Sequence, residues 1–304
     1  NLRGTMIGEL AALGSAICWT LSAILYKEAL LKTKLVSANI VRCVCTSIIL
    51  VACVVVTGRF GVLMSLPTYT VVLACISGII GLGLGDSLYM MSLKLVGVAR
   101  AVPITCTYPL FSLLWTIFLL REPVTLPVVL GAVVIVLGIW LLGQEEKTSK
   151  HTLEKKILIK GMASALSTAI IWSISIAMID MAVALPETRS LDHAFAINTV
   201  RVTAIAVFLL ASSPIIDRGF DFLKVQRKTL AMLILGGIVA LGLGWFFLTF
   251  SFINISESRA VPISSTTPLF STLTGIVFLH ERVTAKNAVG SIMVVVGIFL
   301  IFII

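Results

Sequence analysis

The sequence predicts an all-α integral membrane fold of ten transmembrane helices, built as two five-helix repeats of inverted orientation. Three observations carry this. The 304 residues are 59% hydrophobic and only 12% charged, with a mean hydropathy of +1.11, whereas a soluble domain carries about 25% charged residues. The stretch Arg100–Glu122, RAVPITCTYPLFSLLWTIFLLRE, returns at Arg259–Glu281 as RAVPISSTTPLFSTLTGIVFLHE, at an offset of 159 without a gap and with 14 of 23 positions identical. Five apolar runs precede one polar stretch and five follow it. An odd number of spans per copy turns the second copy over, the arrangement common among secondary transporters.

The first copy, 1–143, offers spans at about 7–27, 36–57, 68–93, 97–119 and 125–143, each near the ~20 apolar residues that a membrane requires. The first run is too long for a signal-peptide core and lacks an evident cleavage site, so it reads as a retained span. Residues 144–156 (QEEKTSKHTLEKK) form a polar linker, and the second copy, 157–304, offers spans at about 157–183, 194–213, 229–253, 257–279 and 284–304. The repeat extends beyond the longest match. GIIGLGLG (78–85) returns as GIVALGLG (237–244), and Asn39-x-x-Arg42 returns as Asn198-x-x-Arg201, both at 159. Gly131 and Gly138 match Gly290 and Gly297, while Gly8 and Trp19 match Gly161 and Trp172 at an offset of 153. Repeats of this kind define the structural unit.

The net charge of +9 is no sign of nucleic acid, because the basic residues lie in short loops between apolar runs. Arg3, Arg59, Arg121, Arg189 and Arg259 fall on the N-terminal side. Sixteen Lys and Arg, among them Lys34, Lys94, Arg100 and Lys155, fall on the other. The positive-inside rule makes that second side cytoplasmic and places both termini outside the cell membrane. The six cysteines lie in the first half without a C-x-x-C pair and read as free, mostly buried thiols. No G-x-x-x-x-G-K-[ST] loop and no H-E-x-x-H is present. ATP hydrolysis through a P-loop and zincin chemistry are therefore excluded, and neither cofactor nor metal is expected. GLGLG lies inside an apolar run with no preceding strand, so its glycines read as close helix contacts rather than a dinucleotide loop.

The residues that promise chemistry are few. Pro103 and Pro109 bracket ITCTY in span four, and Pro262 and Pro268 bracket ISSTT in span nine. Each proline removes a backbone donor and frees a carbonyl. The hydroxyls can repair that break or line a cavity; Thr105, Tyr108, Ser264 and Thr267 are the candidates. Asp86 sits inside span three where the repeat has Trp245, and an intramembrane carboxylate points to function. It could instead pair shallowly, with Lys94 two turns on. Glu9 lies in the first turn of span one, where a carboxylate also suits the helix N-terminus. Trp19 and Trp172 correspond mid-span, as aromatic wall or plain packing. In an inverted repeat Arg42, Arg100 and Glu281 share one face, and Arg201, Arg259 and Glu122 the other. Two ionic gates follow, for example Arg42 with Glu281; the alternative is Arg snorkelling to headgroups.

With this pattern in view, the chain resembles the drug/metabolite transporter superfamily, specifically its ten-span EamA family. The resemblance rests on the duplicated five-span unit, on Arg42 and Arg201 opening second spans, on the PLFS…E ends (Pro109–Glu122, Pro268–Glu281), and on Trp19 and Trp172. It implies a ten-helix fold with a central cavity, working by alternating access on amino acids, related metabolites, drugs or nucleotide sugars. Two departures stand out. Many relatives have cytoplasmic termini, and the small four-span relatives carry a Glu in mid-span one, whereas Glu9 is earlier and Met162 is its rough counterpart. The expected function is a non-enzymatic permease that moves a small polar metabolite, an amino acid or related compound, outward across the cell membrane. The substrate would lie near Trp19, Asp86, Tyr89, Tyr108, Trp172, Trp245 and Ser264. A proton-coupled multidrug or organic-cation antiporter, with Asp86 or Glu9 as coupling carboxylate, is the alternative; a non-transporting membrane sensor or a lipid-modifying enzyme ranks below both. The partners expected are the lipid bilayer, a small-molecule substrate and protons as a candidate coupling ion, with the chain a monomer or homodimer and without nucleic acid.

Overall fold

The computed structural model describes residues 2–96, 101, 104–120, 124–142, 155–217, 220–270 and 285–302. Among these the regular structure is helical throughout. Helices α1 (Leu2–Leu30), α2 (Leu35–Val56), α3 (Thr68–Val96), α4 (Tyr108–Trp115) and α5 (Leu126–Leu142) come from the first copy. Helices α6 (Lys155–Val183), α7 (Leu191–Ile216), α8 (Arg227–Asn254), α9 (Glu257–Ser264) and α10 (Ala285–Phe302) come from the second. Six of them, α1, α2, α3, α6, α7 and α8, are long and apolar enough to cross a membrane.

The burial pattern is that of a lipid-solvated protein. Along α2 the buried set includes Ser37, Asn39, Arg42, Thr46 and Ser47, while Ile48, Val51, Val55 and Val56 are exposed. Helix α7 repeats this with Asn198, Thr199 and Arg201 inside and Val207, Phe208 and Leu210 outside. Polar groups withdraw from hydrocarbon and find partners inside the bundle. At the water-facing ends the chain returns to ordinary capping. Ser190 Oγ accepts from the His193 amide at the start of α7, with Asp192 in the first turn. The Lys34 ammonium hydrogen-bonds Asp221 in the α7–α8 connection and holds that carboxyl below the usual carboxylate range.

Spans four and nine, expected as kinked helices, are interrupted. In the first copy a turn at Cys106–Thr107 precedes α4, and a π-helical turn, Thr116–Leu120, follows it. In the second a turn at Ser265–Thr266 ends α9, and helix resumes over 267–270. The hydroxyls at these breaks bond to carbonyls three residues back. Thr107 Oγ1 donates to Ile104 O at 2.7 Å, Ser265 Oγ to Pro262 O at 2.7 Å, and Thr266 Oγ1 to Ile263 O at 2.8 Å.

The glycine-rich octet is not plain α-helix. Gly78–Gly85 in α3 and Ile238–Gly244 in α8 are π-helical. A π segment shifts the backbone register and loosens carbonyls. One Asn in each copy attends to them. Asn39 Nδ2 donates to Leu82 O at 3.2 Å, and Asn198 Nδ2 to Leu241 O at 2.9 Å and Gly242 O at 3.1 Å. The Asn-x-x-Arg repeat and the glycine repeat are thus two halves of one device.

These segments interlock the copies. A Cβ at Gly78 would sit 2.3 Å from the Arg201 carbonyl oxygen, and one at Gly237 3.0 Å from that of Arg42. Likewise Gly85 lies under Trp172 and Gly244 under Trp19. Each contact recurs with the copies exchanged, so neither copy packs by itself. Helices α5 and α10 pack glycine on glycine, Gly131 against Gly297 and Gly138 against Gly290, which makes them antiparallel. Substituting Gly78→Ala should lower stability in detergent by about 1–3 kcal/mol, whereas Gly61→Ala, with open space around it, should leave it unchanged. Thermal unfolding of the two variants checks this, and equal midpoints would contradict the close-approach account.

Candidate functional site

Two clusters of buried polar and aromatic groups form where α2 and α3 meet α6 and where α7 and α8 meet α1. In the first, Arg42 Nη2 hydrogen-bonds Asp86 Oδ2, with both side chains at most one-tenth exposed. Trp172 Nε1 donates to the other carboxylate oxygen at 2.9 Å. Arg42 Nε donates to Asn39 Oδ1 at 2.9 Å, and its guanidinium lies 5.1 Å from the Tyr26 ring centroid. Asp86 therefore pairs with Arg42 rather than with Lys94. Both residues lie about two turns in from the same face on neighbouring helices, and that matched depth is the sequence signal that would have joined them. Tyr89 and Tyr108 complete the cluster, their rings 5.0 and 6.2 Å from that of Trp172.

In the second cluster Arg201 is fully buried. Its guanidinium carbon lies 3.6 Å from the Trp245 ring centroid, and Nη2 donates to Ser175 Oγ at 2.9 Å. Among the described residues Nε and Nη1 meet no acceptor, and Asn198 Oδ1 meets no donor. Trp19 packs edge-on against Trp245 at 5.2 Å. Trp245 takes the place in the repeat that Asp86 holds in the first copy, so an indole face stands where a carboxylate would be. A desolvated cation–π contact contributes about 2 kcal/mol, whereas the effective cost of burying an ion is several kcal/mol. Arg201 is thus only partly compensated.

The remaining candidates fall between or beside these clusters. Tyr108 Oη lies 3.2 Å from Ser264 Oγ, joining the two proline-bounded hydroxyl groups across the copies. Thr105 is buried. Thr267 is held by α1, its carbonyl accepting from Thr20 Oγ1 at 3.1 Å. Glu9 Oε1 accepts from Arg259 Nη2 at 2.8 Å, an ion pair between the first span of one copy and the broken span of the other. Arg100, Glu122 and Glu281 lie outside the described residues, and Arg42 is engaged by Asp86 of its own copy. Tyr26 and Ser175 were not legible as site residues; an aromatic and a serine in an apolar run carry no pattern. A cleft of about 440 Å³ opens at the face from which Arg42 and Asp86 lie about two turns in, lined by Lys34, Leu35, Val36, Lys94, Ile215, Ile216 and Asp217, and none of the candidate site residues lines it.

Membrane-spanning helices with an inside-out polarity and paired polar centres define a multi-pass membrane transporter. The model of the EamA-like transporter family matches residues 6–144 and 159–303, and the chain belongs to that family. An uncharacterized transporter of Archaeoglobus fulgidus is 24% identical over 300 residues, covering 97% of this chain and 98% of that one. A solved crystal structure superposes with a TM-score of 0.75 over 99% of this chain and 96% of its own, at 16% identity, a likeness of fold.

Removing one partner of the buried pair should be costly. Arg42→Gln or Asp86→Asn alone should lose about 3–5 kcal/mol, and the double variant should recover a clear part of that. Unfolding of the three purified variants tests the pairing; a double variant no more stable than the weaker single one would contradict it.

Proposed function

We propose that the protein is a permease carrying a small polar metabolite, an amino acid or related compound, outward across the cell membrane by alternating access. The observation that carries this reading is the pair of polar, aromatic-walled clusters at the junction of the copies, Asp86, Trp172, Tyr89 and Tyr108 in one, with Tyr108 bonded to Ser264, and Trp19, Trp245 and Arg201 in the other. A polar, aromatic-walled centre at the junction of the two copies is what a carrier presents to a solute stripped of water. The two units of 1–143 and 157–304, with the second inverted, agree with the family match to both halves and with the antiparallel α5 and α10. Charge in the loops supports external termini. On that orientation the Glu9–Arg259 pair closes the outer side, and its breakage accompanies outward opening.

The purified protein in proteoliposomes should exchange labelled against unlabelled amino acid in counterflow. Trp172→Ala and Trp19→Ala should each reduce that exchange about tenfold or more, the loss expected when a site's aromatic anchor is removed. Absence of counterflow with every amino acid, sugar phosphate and cationic dye offered would count against a carrier.

The second reading is a proton-coupled antiporter of organic cations, favoured by the intramembrane carboxylates Asp86 and Glu9. It requires that an imposed pH gradient drive uptake and that Asp86→Asn or Glu9→Gln abolish the drive while sparing counterflow. Gradient-driven flux that survives both substitutions would remove this reading.

A further inference from the structure

The cleft beside Lys34 and Lys94 has no part in the transport reading, and its walls describe a ligand of their own. Three helix ends from the two copies form it: the start of α2 at Lys34 and Leu35, the last turn of α3 at Lys94, and the end of α7 at Ile215 and Ile216. It encloses about 440 Å³. All three helices are long and apolar enough to span a membrane. Their ends therefore mark the level at which the bundle passes from hydrocarbon to water.

The charges around the cleft do not cancel. Asp217 is 3% exposed, and its Oδ2 accepts from Ser37 Oγ at 3.2 Å and from the Phe222 amide at 3.0 Å, so this carboxylate is tied into the fold. Asp221 is shared by two lysines, Lys34 and, at 3.3 Å, Lys224. Lys94 is exposed and enters no ion pair among the described residues. Three lysines (Lys34, Lys94, Lys224) against two aspartates (Asp217, Asp221) leave one positive charge over. Of the three, Lys34 and Lys94 line the cleft.

The remaining wall is apolar and opens sideways. Ile215 is 74% exposed, and with Phe208 and Ala211 it forms an exposed stripe at i, i+3 and i+7 on α7, a single helix face. The stripe leads from the cleft along the side of α7 that faces lipid. A small water-soluble anion would meet the lysines and leave this wall uncovered. A ligand with an anionic head and an apolar tail covers both. Basic pockets between spans on the cytoplasmic side recognise acidic headgroups in this way, and this face carries the sixteen basic residues of the loops.

We infer that the cleft binds an anionic phospholipid of that leaflet. The phosphodiester lies between Lys34 and Lys94, and one acyl chain follows Ile215, Ala211 and Phe208. The single negative charge of the headgroup meets the single positive excess. Because α2 and α3 come from the first copy and α7 from the second, the lipid spans the seam between them.

The test is binding to the full-length protein in a neutral detergent at constant ionic strength. It is read by native mass spectrometry as the fraction of protein carrying lipid, and as the shift of the unfolding temperature. The probes are dioleoylphosphatidylglycerol, dioleoylphosphatidylcholine, glycerol 3-phosphate and inorganic phosphate. Phosphatidylglycerol should bind saturably and raise the unfolding temperature, phosphatidylcholine should bind clearly more weakly, and the two chain-free phosphates should give no shift. Lys94→Gln should weaken phosphatidylglycerol binding about fivefold, the share of one lysine at an anionic membrane surface. Lys32→Gln, an exposed position on the same face but outside the cleft, should leave it unchanged. Both side chains are exposed, so both variants should fold. Equal binding of the two lipids, or undiminished binding in Lys94→Gln, would overturn the site. An equal loss in Lys32→Gln would do so too, since it would mark diffuse surface charge. A shift from either chain-free phosphate that matches the lipid would replace the lipid with a soluble anion. None of these readouts involves transport, so they decide the lipid site whether or not counterflow is found.

Discussion

A charge inside a bilayer must be answered by another charge or by a dense set of hydrogen bonds, and in this protein the pair of Arg42 and Asp86 meets that requirement. The surrounding architecture follows from holding it. Asn39 orients the guanidinium through Nε. Trp172, from the other copy, takes the second carboxylate oxygen and so ties the pair to α6. The π segment before Asp86 places the carboxylate, and the Asn that steadies the arginine also donates to the segment's Leu82 carbonyl. An ion pair of this kind is weak as a source of net stability, since desolvation offsets most of its attraction. Its value lies in specifying one arrangement of three helices.

The second constraint is closeness. Glycines at 78, 85, 237 and 244 let backbone and indole approach where any side chain would collide. Because each glycine belongs to one copy and its neighbour to the other, the copies are braided rather than merely adjacent. A rigid-body movement of one copy alone would break these contacts. Motion is easier to accommodate in the interrupted spans, where turns at Cys106–Thr107 and Ser265–Thr266 replace continuous hydrogen bonding and where hydroxyls bond to carbonyls three residues back. The polar bridge between Tyr108 and Ser264 joins those two interrupted segments.

Much of this was legible in the sequence, and for a physical reason. The repeat at 159 exposed the duplicated unit, and the low charge content exposed the solvent. Asp86 stood out because carboxylates in apolar runs are expensive, and the proline-bounded hydroxyls because prolines break helices. What the sequence left out was partnership. Nothing in the identity of Arg42 says that it meets Asp86 rather than Glu281, since both lie toward one face; helix neighbourhood decides it. The π-helical form of GLGLG was hidden as well, because the same glycines suit close α-helix packing. Ser175 and Tyr26 have no periodic or motif signal. The asymmetry between the arginines was visible as Asp86 against Trp245, but that Arg201 Nε and Nη1 meet no acceptor among the described residues is a property of three-dimensional packing.

The central claim is that Asp86 bonds Arg42 on one side and Trp172 on the other, and so ties the two copies together at the polar centre. A double-mutant cycle on Asp86 and Trp172 tests it most directly, read as the unfolding of the purified Asp86→Asn, Trp172→Phe and double variants. The account predicts a coupling of about 1 kcal/mol or more between the two sites. Strictly additive effects would contradict it.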